Sequence, residues 1–466
     1  MSIKGNNSMQ EMKQIKENKM GTMPVGKLMF SMSLPAMFSM MIQALYNIID
    51  SIFVAMIGEK ALAAVSLVFP IQMLIIAVGV GTGVGLNSLI SRRLGEKRFE
   101  EANSAASHGI VISIFSWSIF AIFGLFFSDA FVSSFTNSSL VVDYGISYCT
   151  IVTVFSLFIF IQISVEKIMQ ATGNMLFPMI CMLTGAITNI ILDPILIFGL
   201  FGMPRLEIAG AAIATVFAQF VSMSLGLIFL FTRKYDVHVK IKGFHLEYKT
   251  VKNIYAVGLP AMIMQAIGSV MLVGMNAILI TFSEAAVAVL GIYFKLQSFI
   301  FMPVFGLNQG TMPILGYNYG AKNRERLIKA FKLALLTAIS IMTMGTIIFQ
   351  LFPTQLILLF NATEEMLGIG VRALRIISLC FIPAAIGIIT STLFQAIGHG
   401  FLSLWVSLLR QLILILPLTW LLSHYLGLDY VWFSFPLAEI FSLSASILFY
   451  IKIYKKEIKP INDLNN

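Results

Sequence analysis

Twelve stretches of about 20 mostly apolar residues recur along the chain, centred near residues 40, 75, 117, 152, 189, 219, 266, 300, 340, 381, 412 and 441. As an α-helix each is long enough, at roughly 1.5 Å per residue, to cross the hydrocarbon core of a bilayer. The runs do not alternate polar with apolar residues, so barrel strands are excluded and only helices satisfy the backbone in lipid. With 58% hydrophobic and 11% charged residues, the chain is expected to be an all-α polytopic membrane protein, not a soluble domain.

Basic residues set the expected orientation, because Lys and Arg accumulate on the cytoplasmic side. Lys4, Lys13, Lys16, Lys19 and Lys27 precede the first run, and Arg92, Arg93, Lys97 and Arg98 occupy the second loop. Arg233, Lys234, Lys240, Lys242, Lys249 and Lys252 fill the central loop, Lys322, Arg324, Arg326, Lys329 and Lys332 the eighth, and Lys452, Lys455, Lys456 and Lys459 the C-tail. Odd-numbered loops carry acids such as Glu59, Asp129, Asp143, Glu284, Glu364, Glu365 and Asp429. Both termini are thus expected in the cytoplasm, with the chain a multi-pass protein of the cell membrane. The net charge of +9 sits at membrane edges, where anionic lipid accounts for it and nucleic acid is not needed. Cys149, Cys181 and Cys380 fall inside apolar runs and read as packing residues. Residues 1–27 are polar and the first apolar run is too long for a signal-peptide core, so no cleavable leader is expected.

Short strings repeat at one spacing. Leu34-Pro-Ala-Met returns at Leu259, Glu59-Lys-Ala at Glu284, Gly95-Glu-Lys at Gly320 and Gln170-Ala-Thr-Gly at Gln395. The differences 259 − 34, 284 − 59, 320 − 95 and 395 − 170 all equal 225. The chain therefore reads as two six-helix repeats, residues 28–232 and 253–454, joined by a cytoplasmic linker at 233–252 and flanked by tails at 1–27 and 455–466. Six is even, so both repeats enter from the same side and are parallel, an arrangement that forms two bundles around a central cavity.

Asp50 and Asp193 each lie inside an apolar run, where a carboxylate costs at least roughly 2.5 to 3.5 kcal/mol on insertion scales and usually marks an ion or proton pathway. Measured from Leu28 and Leu176, they lie about 33 and 26 Å along their helices, at comparable height. Asn189 precedes Asp193 by four residues, and Gln43, Tyr46 and Asn47 precede Asp50 on one face. Pro194 lacks an N–H, so it is expected to free the carbonyl of Ile190 and kink the fifth helix. Carboxylates, an amide and a freed carbonyl suit a hard cation, while desolvation and the neighbouring charge can instead leave one Asp carrying a proton. The charged residues considered as structural partners, Lys295, Arg372, Arg375 and Arg410, are all in the second repeat. The positions equivalent to the two acids there are Met275 and, aligning Pro194 with Pro417, Leu416.

At these residues the chain resembles the multidrug and toxic compound extrusion transporters, in the branch of the small Gram-positive multidrug exporters. The strings that carry the resemblance are Leu34-Pro-Ala, Tyr46-Asn-Ile-Ile-Asp50, Ser91-Arg-Arg-Leu-Gly95, Gln170-Ala-Thr-Gly173-Asn and above all Asn189-Ile-Ile-Leu-Asp193-Pro-Ile-Leu-Ile-Phe198-Gly. Gly316-Tyr-Asn-Tyr-Gly320-Ala, Gln395-Ala-Ile-Gly398 and Arg410-Gln with Pro417 extend it through the second repeat, so the likeness runs from about Gly26 to Lys456. It implies a cation or proton site at Asp50, Asn189 and Asp193, the metal ligands if Na⁺ is used, with Tyr148 and Thr215 as neighbours. Another branch has a sodium site with acids on its seventh and tenth helices, which hold none here.

Gln43, Asn47, Lys295, Arg410 and Glu439 are further polar candidates within the spans. Lys295, Arg410 and Glu439 lie roughly 14 to 17 Å deep and read either as an internal ionic network, Glu439 paired with Arg410 or Lys295, or as substrate contacts. Arg372 and Arg375 begin the tenth run and are expected to snorkel outward. Gly79, Gly81, Gly83 and Gly85 permit close helix packing. The reading is a monomeric secondary antiporter without cofactor, exporting cationic or amphipathic small molecules against inward H⁺ or Na⁺. A flippase for lipid-linked sugars is the alternative within transport, and an intramembrane transferase lies outside it. The transferase lacks a soluble domain, an HExxH string and a nucleophile elbow.

Overall fold

The computed structural model describes residues 18–240 and 243–461, so Lys4, Lys13, Lys16 and Lys242 lie outside the described residues. Ten helices are long and apolar enough to cross a membrane, and two bent pairs bring the number of spans to twelve among the described residues. The first six are α1 (Val25–Ile57), α2 (Glu59–Gly95), α3 (Phe99–Phe126), α4 in two parts (Ser139–Val154 and Leu157–Ala171), α5 (Leu176–Phe198) and α6 (Glu207–Thr232). The second six are α7 (Tyr248–Leu279), α8 (Glu284–Gly320), α9 (Arg324–Leu351), α10 in two parts (Glu364–Ser378 and Phe381–Ala396), α11 (Gly400–Leu426) and α12 (Leu428–Ile458).

The 225-residue offset reappears in the helix ends. α2 and α8 differ by 284 − 59 and 320 − 95, α3 and α9 by 324 − 99 and 351 − 126, and α4 and α10 by 364 − 139 and 396 − 171. The recurring strings now have a backbone reason. Gly173 and Gly398 take positive φ, +91° and +100°, where α4 and α10 stop, a conformation a glycine adopts without steric penalty.

α4 and α10 each bend in mid-span, by 42° and 48°, at Phe155–Ser156 and Leu379–Cys380. The α4 break has no proline, whereas the α10 break lies four residues before Pro383, which has no N–H for the Leu379 carbonyl. The carbonyls released there find donors on the neighbouring helix: Trp117 Nε1 of α3 donates to Val154 at 2.7 Å, and Thr346 Oγ1 of α9 to Ser378 at 3.2 Å. The kink expected at Pro194 is not a break, because α5 runs unbroken from Leu176 to Phe198. Pro194 sits close to the left-handed Gly199 that ends the helix, so one missing N–H leaves every earlier turn intact.

The two halves meet where α1 and α2 cross α8 and α7, along a seam of glycines in matched pairs. Gly81 lies against Met262 and Gly306 against Met37; Gly85 against Gly258 and Gly310 against Ser33; Gly95 against Tyr317 and Gly320 against Arg92. Each partner pair is also 225 apart, so the seam has pseudo-twofold symmetry. Most of these approaches leave no space for a Cβ, and the backbones touch directly. The seam occupies the end of the bundle that carries the first and last described residues. There Met20 is fully buried, and its carbonyl accepts from Asn318 Nδ2 at 3.2 Å and Arg326 Nη2 at 3.0 Å.

Candidate cation site

Five helices converge on the pair of acids. α1 packs against α5, which brings the Asp50 and Asp193 carboxyl groups within hydrogen-bonding reach of each other, a contact that two carboxyls hold through a shared proton or an intervening cation. Asp193 is fully buried, Asn189 nearly so, and Asp50 half-buried. Asn189 Nδ2 lies 3.3 Å from Asp193 Oδ1 and 3.4 Å from Thr215 Oγ1 of α6. Tyr46 of α1 and Tyr148 of α4 stand beside both acids, and Gln72 Nε2 of α2 donates to the Tyr148 hydroxyl at 2.8 Å.

The i, i+4 spacing explains the local build: Tyr46 and Asp50, and Asn189 and Asp193, each share one helix face. Two oxygens inside this cluster, Asn189 Oδ1 and Asp193 Oδ2, are buried without a hydrogen-bond donor. A buried acceptor left unmade costs about 1–3 kcal/mol, and a proton or cation at that point removes the penalty. Every nearby donor atom of the set is oxygen, which fits H⁺ or a hard monovalent cation and not a thiophilic metal.

The structure brings Asp50, Asn189, Asp193, Tyr148 and Thr215 together, but not the supporting residues expected on α1. Asn47 is exposed and Gln43 half-buried, and neither side chain has a hydrogen bond among the described residues. Tyr46 takes that role, because its hydroxyl reaches Thr215 on the neighbouring helix. Gln72 joins the site through the packing of α2 on α4, which brings it to Tyr148.

Two further charged residues lie in the first half, Glu166 and Lys167 in α4, so the intramembrane bases are not confined to the second half. Both are buried. Lys167 Nζ donates to Gln170 Oε1 at 2.9 Å and, across the seam, to Gln309 Oε1 of α8 at 3.0 Å. Gln162 Nε2 donates to Glu166 Oε1 at 3.0 Å. An adjacent Glu-Lys inside the apolar run of α4 was the available signal. No ion pair joins Lys167 to Asp50 or Asp193 among the described residues.

In the second half, Arg410 Nη1 pairs with Glu439 Oε2 at 3.5 Å. Lys295 is exposed and sits 5.9 Å from the centroid of the Phe360 ring instead. Arg372 reaches the exposed end and pairs with Asp429. The three cysteines are buried and free.

The MatE family model matches residues 35–195 and again 260–421, its two starts separated by 260 − 35 = 225. Among curated proteins, the chain is 28% identical to the multidrug export protein MepA of Staphylococcus haemolyticus, over 89% of this chain and 90% of that protein. It is 26% identical to an FAD transporter of Shewanella oneidensis, over 90% and 92%. Among solved structures it superposes with a TM-score of 0.89 and 29% identity on one described as the outward-facing conformation of a multidrug resistance MATE family transporter of the MOP superfamily, over 95% of this chain and 99% of that one.

Proposed function

The chain belongs to the MatE family, and from that premise we propose that it exports cationic or amphipathic small molecules across the cell membrane in exchange for H⁺ or Na⁺ entering through Asp50 and Asp193. It is a multi-pass multidrug-efflux transporter and not an enzyme. The observation that carries the coupling role is the meeting of two carboxyl groups in a buried pocket that contains unpartnered oxygens and no basic side chain in ion-pair contact with them among the described residues.

The distribution of Lys and Arg supports cytoplasmic termini; on that reading the glycine seam closes the cytoplasmic side, and the arrangement is outward-facing. Cation uptake from outside then favours an altered first half and releases substrate outward; loss of the cation to the cytoplasm resets it. One ion moving through about 100 mV supplies about 2.3 kcal/mol, and a tenfold gradient adds about 1.4 kcal/mol, together enough for roughly 500-fold accumulation. A single chain contains both halves of the cavity, so a monomer suffices, embedded in lipid along its apolar flanks.

Ethidium efflux from vesicles under separately imposed H⁺ and Na⁺ gradients tests this. Asp193→Asn is expected to lose gradient-driven efflux by at least about tenfold, ~1.4 kcal/mol of lost coupling, under whichever gradient drives the wild type. Equal efflux by mutant and wild type under both gradients refutes the assignment.

A further inference from the structure

We propose that Glu439 is a second proton carrier, in the half opposite Asp50 and Asp193, and that Arg410 is the fixed counter-charge through which its protonation repels a cationic substrate. The proposal rests on the reading that the first half couples export to a cation, and adds to that reading a separate site.

Glu439 lies on α12 and is only 4% exposed. Its Oε2 has a single long contact, 3.5 Å to Arg410, in place of the two short bonds a guanidinium offers a well-held carboxylate. Its Oε1 is buried with no donor, and so is Ser442 Oγ one turn further along α12. Gly387 of α10 faces Oε1, and a Cβ there would stand 3.5 Å from that oxygen, so any side chain beyond Ala would crowd it.

The titratable groups facing Glu439 from the elements around it are Arg410 of α11, Cys380 at the α10 break and Tyr293 of α8. Arg410 belongs to a π-helical stretch, Leu409–Ile415, interrupting α11. Such a stretch rotates the side chains that follow and recurs at functional sites. The Arg410 side chain is 26% exposed against 6% for Glu439, so the base borders accessible space and the acid does not.

The chemistry balances with one proton. Water outside supplies H⁺, an O–H bond forms at Oε1, and the carboxylate becomes a neutral acid. The Arg410–Glu439 pair passes from net zero to +1. Arg410 then presents an uncompensated positive charge, which disfavours a cation between the halves. Arrival of the cation has the reverse effect and expels the proton, the reciprocity that exchange requires.

Infrared difference spectra of the purified protein between acidic and alkaline pH test this without a ligand. A protonated-carboxyl band present in wild type is expected to disappear in Glu439→Gln and to shift in Glu439→Asp, the second variant serving if the first does not fold. Proton release on binding of ethidium, read with a pH dye in weak buffer, is expected to fall in Glu439→Gln; where the first half takes H⁺ it falls in Asp193→Asn as well and vanishes in the double variant. An unchanged carboxyl spectrum in the Glu439 variants, or as many protons per ethidium from Glu439→Gln as from wild type, overturns the proposal. Undiminished release from Asp193→Asn with a reduced release from Glu439→Gln supports this proposal and leaves Na⁺ as the ion of the first half, whose assignment the efflux of Asp193→Asn then decides.

Discussion

The two halves share a backbone plan and differ in what they bury. Where the first half joins Asp50 to Asp193 between α1 and α5, the second half joins α7 to α11 through apolar contact. Gly274 lies against the Leu416 side chain, and Met275, fully buried, has its sulfur 3.1 Å from Thr419 Oγ1. The charge of the second half is displaced to α11 and α12, where Arg410 neutralises Glu439 internally. The halves thus share the elements that let two bundles close on each other, while their ionisable groups differ: two acids without a basic partner in the first, an Arg–Glu pair in the second, among the described residues.

Four experiments test that contrast, in decreasing order of effect. Transplanting the acids, Met275→Asp with Leu416→Asp, is expected to destabilise the protein by roughly 5 to 7 kcal/mol, twice the penalty for one intramembrane carboxylate. Thermal unfolding in detergent measures it, and a wild-type melting temperature would mean that the second half tolerates the pair as well as the first. Gly85→Val and Gly310→Val occupy symmetry-equivalent points of the seam, where the added side chain meets backbone. Each is expected to weaken closure by about 1–3 kcal/mol and to a similar degree. Spin-label distances across the seam report this, and a large inequality would break the symmetry.

Lys167→Met removes a tie that exists on one side only. Its equivalent, 167 + 225, is Thr392, which bonds Asn308 of its own half at 2.7 Å. The same distance measurement is expected to show opening of the seam by about 1.5–3 kcal/mol, the range for a bond to a charged group, with little change for Thr392→Val. No shift with Lys167→Met would assign closure to the glycines alone. Arg372→Ala, at an exposed pair with Asp429, is expected to alter stability by less than about 1 kcal/mol. A larger loss on unfolding would mark α10 and α12 as held together at their outer ends.

Much of the architecture was legible because it depends on length and spacing. Apolar runs define spans, and the recurrence of Gly95 at Gly320 and Gly173 at Gly398 exposes the duplication and even the helix ends. The convergence on Asp193 followed from helix depth and i, i+4 geometry. The break at Phe155 is not legible, since no residue there stops a helix and a neighbouring donor stabilises it, whereas the break at Leu379 has a signal in Pro383, four residues on. Pro194 illustrates the reverse, a proline that α5 carries without a break. Which of Gln43, Tyr46 and Asn47 joins Asp50 is decided by Thr215 of α6, about 170 residues away, which no local pattern encodes. The role of Lys167 is not legible locally, because it depends on Gln309, on another helix of the other half.

The hydrogen bond from Trp117 to the open end of the first α4 segment has a spectroscopic consequence. An indole whose N–H is tied to a helix terminus senses that carbonyl dipole, so straightening α4 would change its local field and its fluorescence emission. The equivalent break in α10 is capped by the Thr346 hydroxyl, which does not fluoresce. The protein therefore carries a built-in optical probe of bending in one half and is dark in the other, and a variant keeping Trp117 while replacing Trp405, Trp420 and Trp432 would let the first half be watched by itself.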